Sequence, residues 1–408
     1  MTLETSGPKL ERVLGLPLVT LYGVGVTVGA GIYVLVGEVA AVAGYATPVA
    51  FLLAAIVAGM SALSYSELAV RLPQAGGEAA YAESAFSRGW LTLAVGLAVA
   101  FAGITSSGAI VIGFGGYFLA LFGVSGPVVP ILAVLLLGLI AFWGVRQSFM
   151  LIAVTTLIEI GGIALVIGAG AGALGELPAK LPAIWPDWTV DAWRAVIGAS
   201  VLAFFAFIGF EDIVNMAEET RDTSRVLPRA ILLTLVITTV FYLTLTTVAV
   251  LAVPLDDLSG TGAPLALIFE RGGGDPRLLS AIAMLAVING ALIQIIMASR
   301  LLYGMARLGR LPSWLARVNA RTHTPDAAIV LVTGIVLASA LLLPIDRLAG
   351  LASLGVLSVF AIVNAALIRV RLRRDPSPSA YRVPLWVPVA GLAASAGLLF
   401  FGIFDMLF

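Results

Sequence analysis

The stretch GVGVTVGAGIYVLVG, residues 23–37, carries glycine at 23, 25, 29, 31 and 37 inside an apolar run. Each glycine costs a helix about 1 kcal/mol relative to alanine, so the cluster needs a reason. Three readings compete. Gly25, Gly29 and Gly31 can form a dinucleotide-binding turn between a strand and a helix. Gly25 and Gly29 can form a small-residue face on which another membrane helix packs. Or the helix is broken here to offer bare backbone to a ligand.

Composition removes the first reading. The 408 residues are 60% hydrophobic and 11% charged, whereas a soluble domain carries about a quarter charged residues. Polar surface for a nucleotide-binding βαβ domain is missing, and no nucleotide-binding motif remains to couple the protein to ATP. Net charge is zero, which gives nucleic acid no electrostatic footprint. With no cysteine and one histidine, His323, in the chain, disulfides, thiolate sites, His-ligated metal clusters and Ser-His-Asp catalysis are excluded. We expect no cofactor, no metal and no enzymatic activity.

Apolar runs near 14–36, 47–70, 90–120, 127–145, 149–172, 194–217, 228–254, 277–306, 326–343, 347–371 and 385–407 are each long enough to approach the roughly 20 residues that span a bilayer. The chain therefore reads as an all-α integral membrane protein of about eleven transmembrane helices, one transporter domain over 1–408. With the N-terminus in the cytoplasm, eighteen of the 23 Lys and Arg residues fall inside. Lys180, Arg194, Arg271, Arg277 and Arg347 fall outside. This asymmetry predicts a multi-pass protein of the cytoplasmic membrane with N-terminus in and C-terminus out.

Two runs look interrupted at membrane depth. The first is run 1 at Thr27–Gly31. The second is run 6, where FFAFIGFEDIVNMAEET places Gly209, Glu211 and Asp212 in the bilayer. Run 6 stands five after run 1, which predicts a 5+5 inverted repeat with halves of about 12–172 and 193–371 and an extra helix at about 385–407. Paired interrupted helices at matching positions point to a transporter site. A break frees N–H groups, which attract a carboxylate, on one half-helix and carbonyls, which attract an ammonium, on the other. Glycine there permits close approach or positive φ. The opening stretch thus reads as a carboxylate cradle, with small-residue packing as its rival.

These residues resemble the first-helix signature of the amino acid–polyamine–organocation superfamily of permeases. The resemblance continues in FFAFIGFEDIVNMAEETRDTSRVLPRAI, YSELAVRLPQAGGEAAYAESAF, ASRLLYGMARLGRLP and ASLGVLSVFAIVNAALIRVRLRR, so it runs along almost the whole chain. It implies the leucine-transporter-like fold with broken helices 1 and 6, and amino-acid transport. By the same resemblance the carboxylate turn falls on Thr27, Gly29, Ala30 and Gly31. The ammonium-binding carbonyls fall on Phe205, Ala206 and Ile208, with Phe207 and Gly209 in the same break, and Phe205 matches an aromatic gate. The chain departs from the pattern in three ways: eleven runs replace twelve spans, Leu308 replaces an acid, and Glu159 stands where some proton-coupled relatives carry lysine.

Glu159 lies mid-membrane in run 5, where a carboxylate must be protonated or paired. It is the candidate proton carrier, with a structural hydrogen bond as the alternative. Ser299 of run 8 is a second coupling candidate; its alternative is a back-bond to the preceding turn. Glu211 and Asp212 can face the inner vestibule, contact a cationic group or close the inner gate. Glu218 and Glu219 with Arg221, Arg225 and Arg229 read as a solvated cluster, and His323 as a surface residue. Ser106, Ser107 and Asn289 read as ordinary interhelical hydrogen-bonding groups. Residues 76–88 read as an interfacial helix with Ala80, Tyr81, Ala85 and Phe86 on one face, and Trp185, Trp188 and Trp193 as an outer boundary cluster.

The leading expectation is a secondary transporter moving amino acids by alternating access. The partners expected are an amino acid, the lipid bilayer and a proton, with sodium as the other coupling ion. The small and apolar lining leans to neutral substrates. The alternatives are a cationic amino acid or polyamine permease, an exchanger, and a non-transporting amino-acid sensor or partner subunit of the same fold.

Overall fold

The computed structural model describes residues 14–73, 77–143, 149–217, 219–373 and 381–407. Lys9, Arg12, Arg146, Glu218 and Arg374 lie outside them. The described chain is helical, with a single isolated bridge between Leu14 and Thr220. Every expected run falls on helix. Runs 1 to 5 are α1 (Leu16–Ala43), α2 (Thr47–Arg71), α4 (Gly89–Phe122), α5 (Val128–Trp143) and α6 (Phe149–Gly170). Run 6 is α8 (Val190–Phe204) and the tighter turns that follow it. Runs 7 to 11 are α9 (Thr223–Ala252), α12 (Pro276–Arg307), α13 (Asp326–Leu342), α14 (Ile345–Leu372) and α15 (Trp386–Leu407).

Among the described residues, eight segments are long and apolar enough to cross a membrane, one of them joining the second half of α1 to α2. Leu16–Gly29, Val128–Trp143 and Asp326–Leu342 are shorter apolar helices. Sequence signals set the helix ends. Proline occupies the first turn of α1, α2 and α12, where its missing N–H costs nothing. The Asp275 carboxylate accepts from the Arg277 amide at 2.9 Å as the α12 N-cap, and Gly123 closes α4 in the left-handed region. Leucines 132, 135, 136 and 139 of α5 stand exposed, the face expected toward lipid.

The loops after α6 and α9 fold further than expected. α7 (Leu177–Ile184) precedes the tryptophan cluster, in which Trp185 and Trp188 both pack on Trp193 of α8. α10 (Leu255–Ser259) and α11 (Pro264–Arg271) pack over α1. α3 (Gly77–Phe86) corrects the interfacial reading. Its buried face is Glu78, Tyr81, Ala82 and Ala85, while Ala80 and Phe86 are only partly buried. That face packs on α4 and α14. A lipid-facing helix would not bury Glu78; this one does because the Tyr65 hydroxyl donates to its carboxylate at 3.2 Å.

A buried ion cluster ties α2 to the C-terminal part. Glu67, fully buried, accepts from Arg71 and from the Arg371 Nε, each at 2.9 Å, from a second Arg371 nitrogen, and from the Val383 amide at 2.9 Å. Nearby the Asn364 amide donates to the Ser61 hydroxyl at 3.0 Å and its oxygen accepts from Ser64 at 2.7 Å. Removing one partner of such a buried cluster strands opposite charge, at a cost of about 3–5 kcal/mol. Glu67→Ala is therefore expected to lower the melting temperature of the purified protein by many degrees, and an unchanged melt would show that the cluster is not needed for stability.

Candidate functional site

Helix α1 is interrupted where the glycines stand. Gly29 has φ −29°, ψ −121°, and helix resumes beyond it. Helix α8 gives way to a tighter turn over Phe205–Phe207; Ile208 is extended, Gly209 has φ 128°, and a second tight turn runs over Phe210–Met216. Positive φ is thus required at Gly209 and not in the first break.

The glycines of the opening stretch serve mainly close approach. A Cβ on Gly31 would stand 2.7 Å from the Ala206 Cα, and one on Gly25 would strike the Thr156 hydroxyl of α6. A Cβ on Gly23 would strike Ile213 and Thr234, and one on Gly37 the Leu258 carbonyl. In return, a Cβ on Gly209 would stand 2.8 Å from the Val26 carbonyl oxygen. Gly29 alone of the five has nothing within 4 Å apart from its neighbours. Packing and interruption, the two readings left open, therefore both hold at once.

Tyr242 of α9 fastens the crossing. Its buried hydroxyl lies 2.9 Å from both the Thr27 and Ala206 carbonyls. One hydroxyl proton is shared between two acceptors, so both carbonyls keep lone-pair capacity toward the site. Tyr33 of α1 donates to the Glu159 carbonyl at 2.6 Å, and Tyr117 of α4 donates to the Tyr33 carbonyl at 2.5 Å.

A small cavity lies between the breaks. Thr27, Gly29, Gly31, Phe205, Ile208 and Glu159 line it. Ala206, Phe207 and Gly209 stand behind that wall: Phe207 packs edge-on to Tyr242 at 5.1 Å between ring centres. Ala30 lies in the same stretch of α1; nothing is described of its side chain. The sequence reading overlooked Ser106 and Ile110 of α4 and Asn289, Gly290, Ile293 and Gln294 of α12 as part of this wall. The Asn289 amide is within hydrogen-bonding reach of the Glu159 carboxyl, which is 2% exposed.

Ser299 is placed elsewhere. Its hydroxyl donates to the Ile295 carbonyl at 2.7 Å, the back-bond alternative, and it lines neither this cavity nor the next. Glu211 accepts from the Gly209 amide at 2.8 Å, capping the break. It lines a second small cavity together with Asp212 and Glu78, and Ser106, Ile208 and Gln294 belong to both cavities. Burial pushes the Glu78 carboxyl of α3 above the usual carboxylate range, partly offset by hydrogen bonds from its own backbone and from Tyr65. Ser107, as expected, makes an interhelical bond, to the Ala291 carbonyl at 3.2 Å. His323 is exposed.

A multi-pass bundle whose interrupted helices face each other over one internal cavity is the architecture of a membrane permease. Residues 14–408 match the family described as "Amino acid permease", and the chain belongs to it. It is 27% identical over 420 residues to the branched-chain amino acid permease BcaP of Bacillus subtilis (strain 168), covering 95% of this chain and 87% of that protein. It is 31% identical over 395 residues to cationic amino acid transporter 2, vacuolar, of Arabidopsis thaliana, covering 90% of this chain and 61% of that protein. The methylthioribose transporter of Bacillus subtilis (strain 168) is 27% identical over 424 residues, covering 98% and 90%. These relatives are named as permeases and transporters, in keeping with a protein that is not an enzyme.

The crossing sets two expectations. Gly31→Val drives a branched side chain into the Ala206 backbone, so titration of the folded variant is expected to show no amino-acid binding; unchanged affinity contradicts this. Tyr242→Phe leaves two buried carbonyls without their donor, at about 1–3 kcal/mol. A melting temperature lowered by a few degrees is expected, and an unchanged one removes Tyr242 from the account.

Proposed function

We propose that the chain is a secondary active transporter that carries an α-amino acid across the cytoplasmic membrane by alternating access, coupled to protons. The observation that carries this reading is the pair of breaks over one cavity. The N–H groups that open the second half of α1 suit the α-carboxylate, with Thr27, Gly29, Ala30 and Gly31 as the turn. The carbonyls of Phe205, Ala206 and Ile208 suit the α-ammonium, and Phe205 covers the site. Rocking of one half of a 5+5 inverted repeat, 12–172 against 193–371, would open the cavity to each side in turn. The Lys and Arg asymmetry supports a cytoplasmic N-terminus and an outer C-terminus.

Glu159 is the proposed proton carrier. It shares the cavity wall with the first break, and its carboxyl has Asn289 beside it. When protonated it can donate to the bare backbone of α1; when ionised toward the cytoplasm it gives up that contact. Sodium is less well served, because the Ser299 hydroxyl is turned to its own helix and Ala298 beside it offers none. Exchange and ligand sensing without flux are the competing readings that transport assays separate.

One proton per substrate across a gradient of one pH unit supports about tenfold accumulation. Liposomes holding the purified protein, with an imposed pH gradient and no sodium, are expected to accumulate amino acid to that order. Glu159→Gln is expected to bind substrate but show no response to the gradient. Uptake that needs sodium and ignores pH contradicts the proton assignment, and binding without flux under any ion gradient supports the sensor.

A further inference from the structure

The second cavity adjoins the proposed transport site and is chemically unlike it. Ser106, Ile208 and Gln294 form the neck between the two. Its far wall brings together Glu78 from α3 with Glu211 and Asp212 from the segment after α8. Its described lining contains no Lys, Arg or His. Met297, Val359 and Phe360 give it apolar flanks.

The neck holds polar groups without partners. Ser106 is 2% exposed and makes no hydrogen bond among the described residues. Its neighbours on α4 both do: Thr105 returns its proton to the Phe101 and Ala102 carbonyls, and Ser107 reaches across to Ala291. A helical serine ordinarily back-bonds to the preceding turn. Ser106 does not, and its hydroxyl is left facing the cavities. Opposite it, the buried Gln294 Oε1 also lacks a partner. Buried polar atoms are nearly always satisfied, so the unpaired Gln294 Oε1, beside the Ser106 hydroxyl at one constriction, marks the path of a polar ligand group.

We infer that the second cavity is a side-chain subsite and that its ligand is an amino acid ending in a cation, an ammonium or a guanidinium. The inference rests on the amino-acid transport reading above. With the α-groups at the breaks, the side chain passes Ser106 and Gln294. Its methylene stem lies along the apolar flanks, and its charge meets the carboxylates. Glu211 accepts from the Gly209 amide and Glu78 from the Tyr65 hydroxyl, each also from its own backbone, and the cation shares these carboxylates with Asp212. Three acids around one cavity, Glu78 and Glu211 buried and Asp212 partly so, repel one another in their charged forms, and a bound cation supplies the missing counter-charge. This revises the lean to neutral substrates, which followed from small and apolar residues without knowledge of which acids share a cavity.

The test compares L-lysine and L-arginine with L-norleucine, which has the lysine stem without the ammonium, by isothermal titration of the purified full chain. Lysine and arginine are expected to bind at least about tenfold more tightly than norleucine, the scale of one charge-assisted hydrogen bond. In the Asp212→Asn variant, lysine is expected to lose at least about that factor. Norleucine should bind the variant as before, which also reports that the variant is folded. Norleucine binding the wild-type chain as tightly as lysine, or both ligands weakening equally in the variant, overturns the subsite while leaving the transport reading intact. A wild-type chain that binds no amino acid at all overturns the transport reading and the subsite with it.

Discussion

The structure depends on two interrupted helices crossing backbone to backbone in the middle of a membrane protein. Gly31 lies against Ala206, and Gly209 lies against Val26, at distances that leave no room for a Cβ at either glycine. Unpaired backbone at this depth is tolerated only inside protein or beside a polar cavity. The surrounding helices therefore have to enclose the crossing, and they do: α9 contributes the Tyr242 hydroxyl, α6 packs its Thr156 against Gly25, and α4 and α12 close the remaining walls.

Enclosure sets where polar residues can stand. A lipid-facing helix such as α5 exposes leucines, while buried acids stand at Asp326, paired with Arg317, and at three further places. Glu67 is fully engaged by Arg71, Arg371 and the Val383 amide and holds the C-terminal part to α2. Glu159 has an amide beside it and faces the central cavity. Glu78, Glu211 and Asp212 gather around a second cavity with no basic residue in its described lining. Neutralised charge is thus structural, and charge without a cation partner lines the path through the molecule.

Much of the fold was legible in the sequence because bilayer length and hydropathy leave few choices, and each apolar run became helix. The breaks were legible because glycine and acids at membrane depth have few other uses. The reason attached to Gly31 was only half right: the expected positive φ is found at Gly209, and Gly31 is small because another backbone touches it. That distinction lies in the contact between segments some 170 residues apart, which no local pattern encodes. For the same reason Gln294 drew no reading and Asn289 reads from sequence only as an interhelical hydrogen-bonding group, since a polar residue on a helix looks the same whether it faces a neighbour or a cavity. Ser299 was weighed as a coupling group, and the structure gives it the ordinary back-bond. On α3 the face was misjudged by favouring apolar residues, when the buried register includes Glu78 and its tyrosine donor.

The central claim is that bare backbone on the two breaks holds both α-groups of the substrate. Competition binding with a transported amino acid, its decarboxylated amine and its deaminated acid, all sharing one side chain, tests this most directly. Each missing group removes hydrogen bonds to a charged partner, about 1.5–3 kcal/mol, so each analogue is predicted to compete at least roughly tenfold more weakly than the amino acid. An amine or an acid that competes as strongly as the intact amino acid would contradict the account.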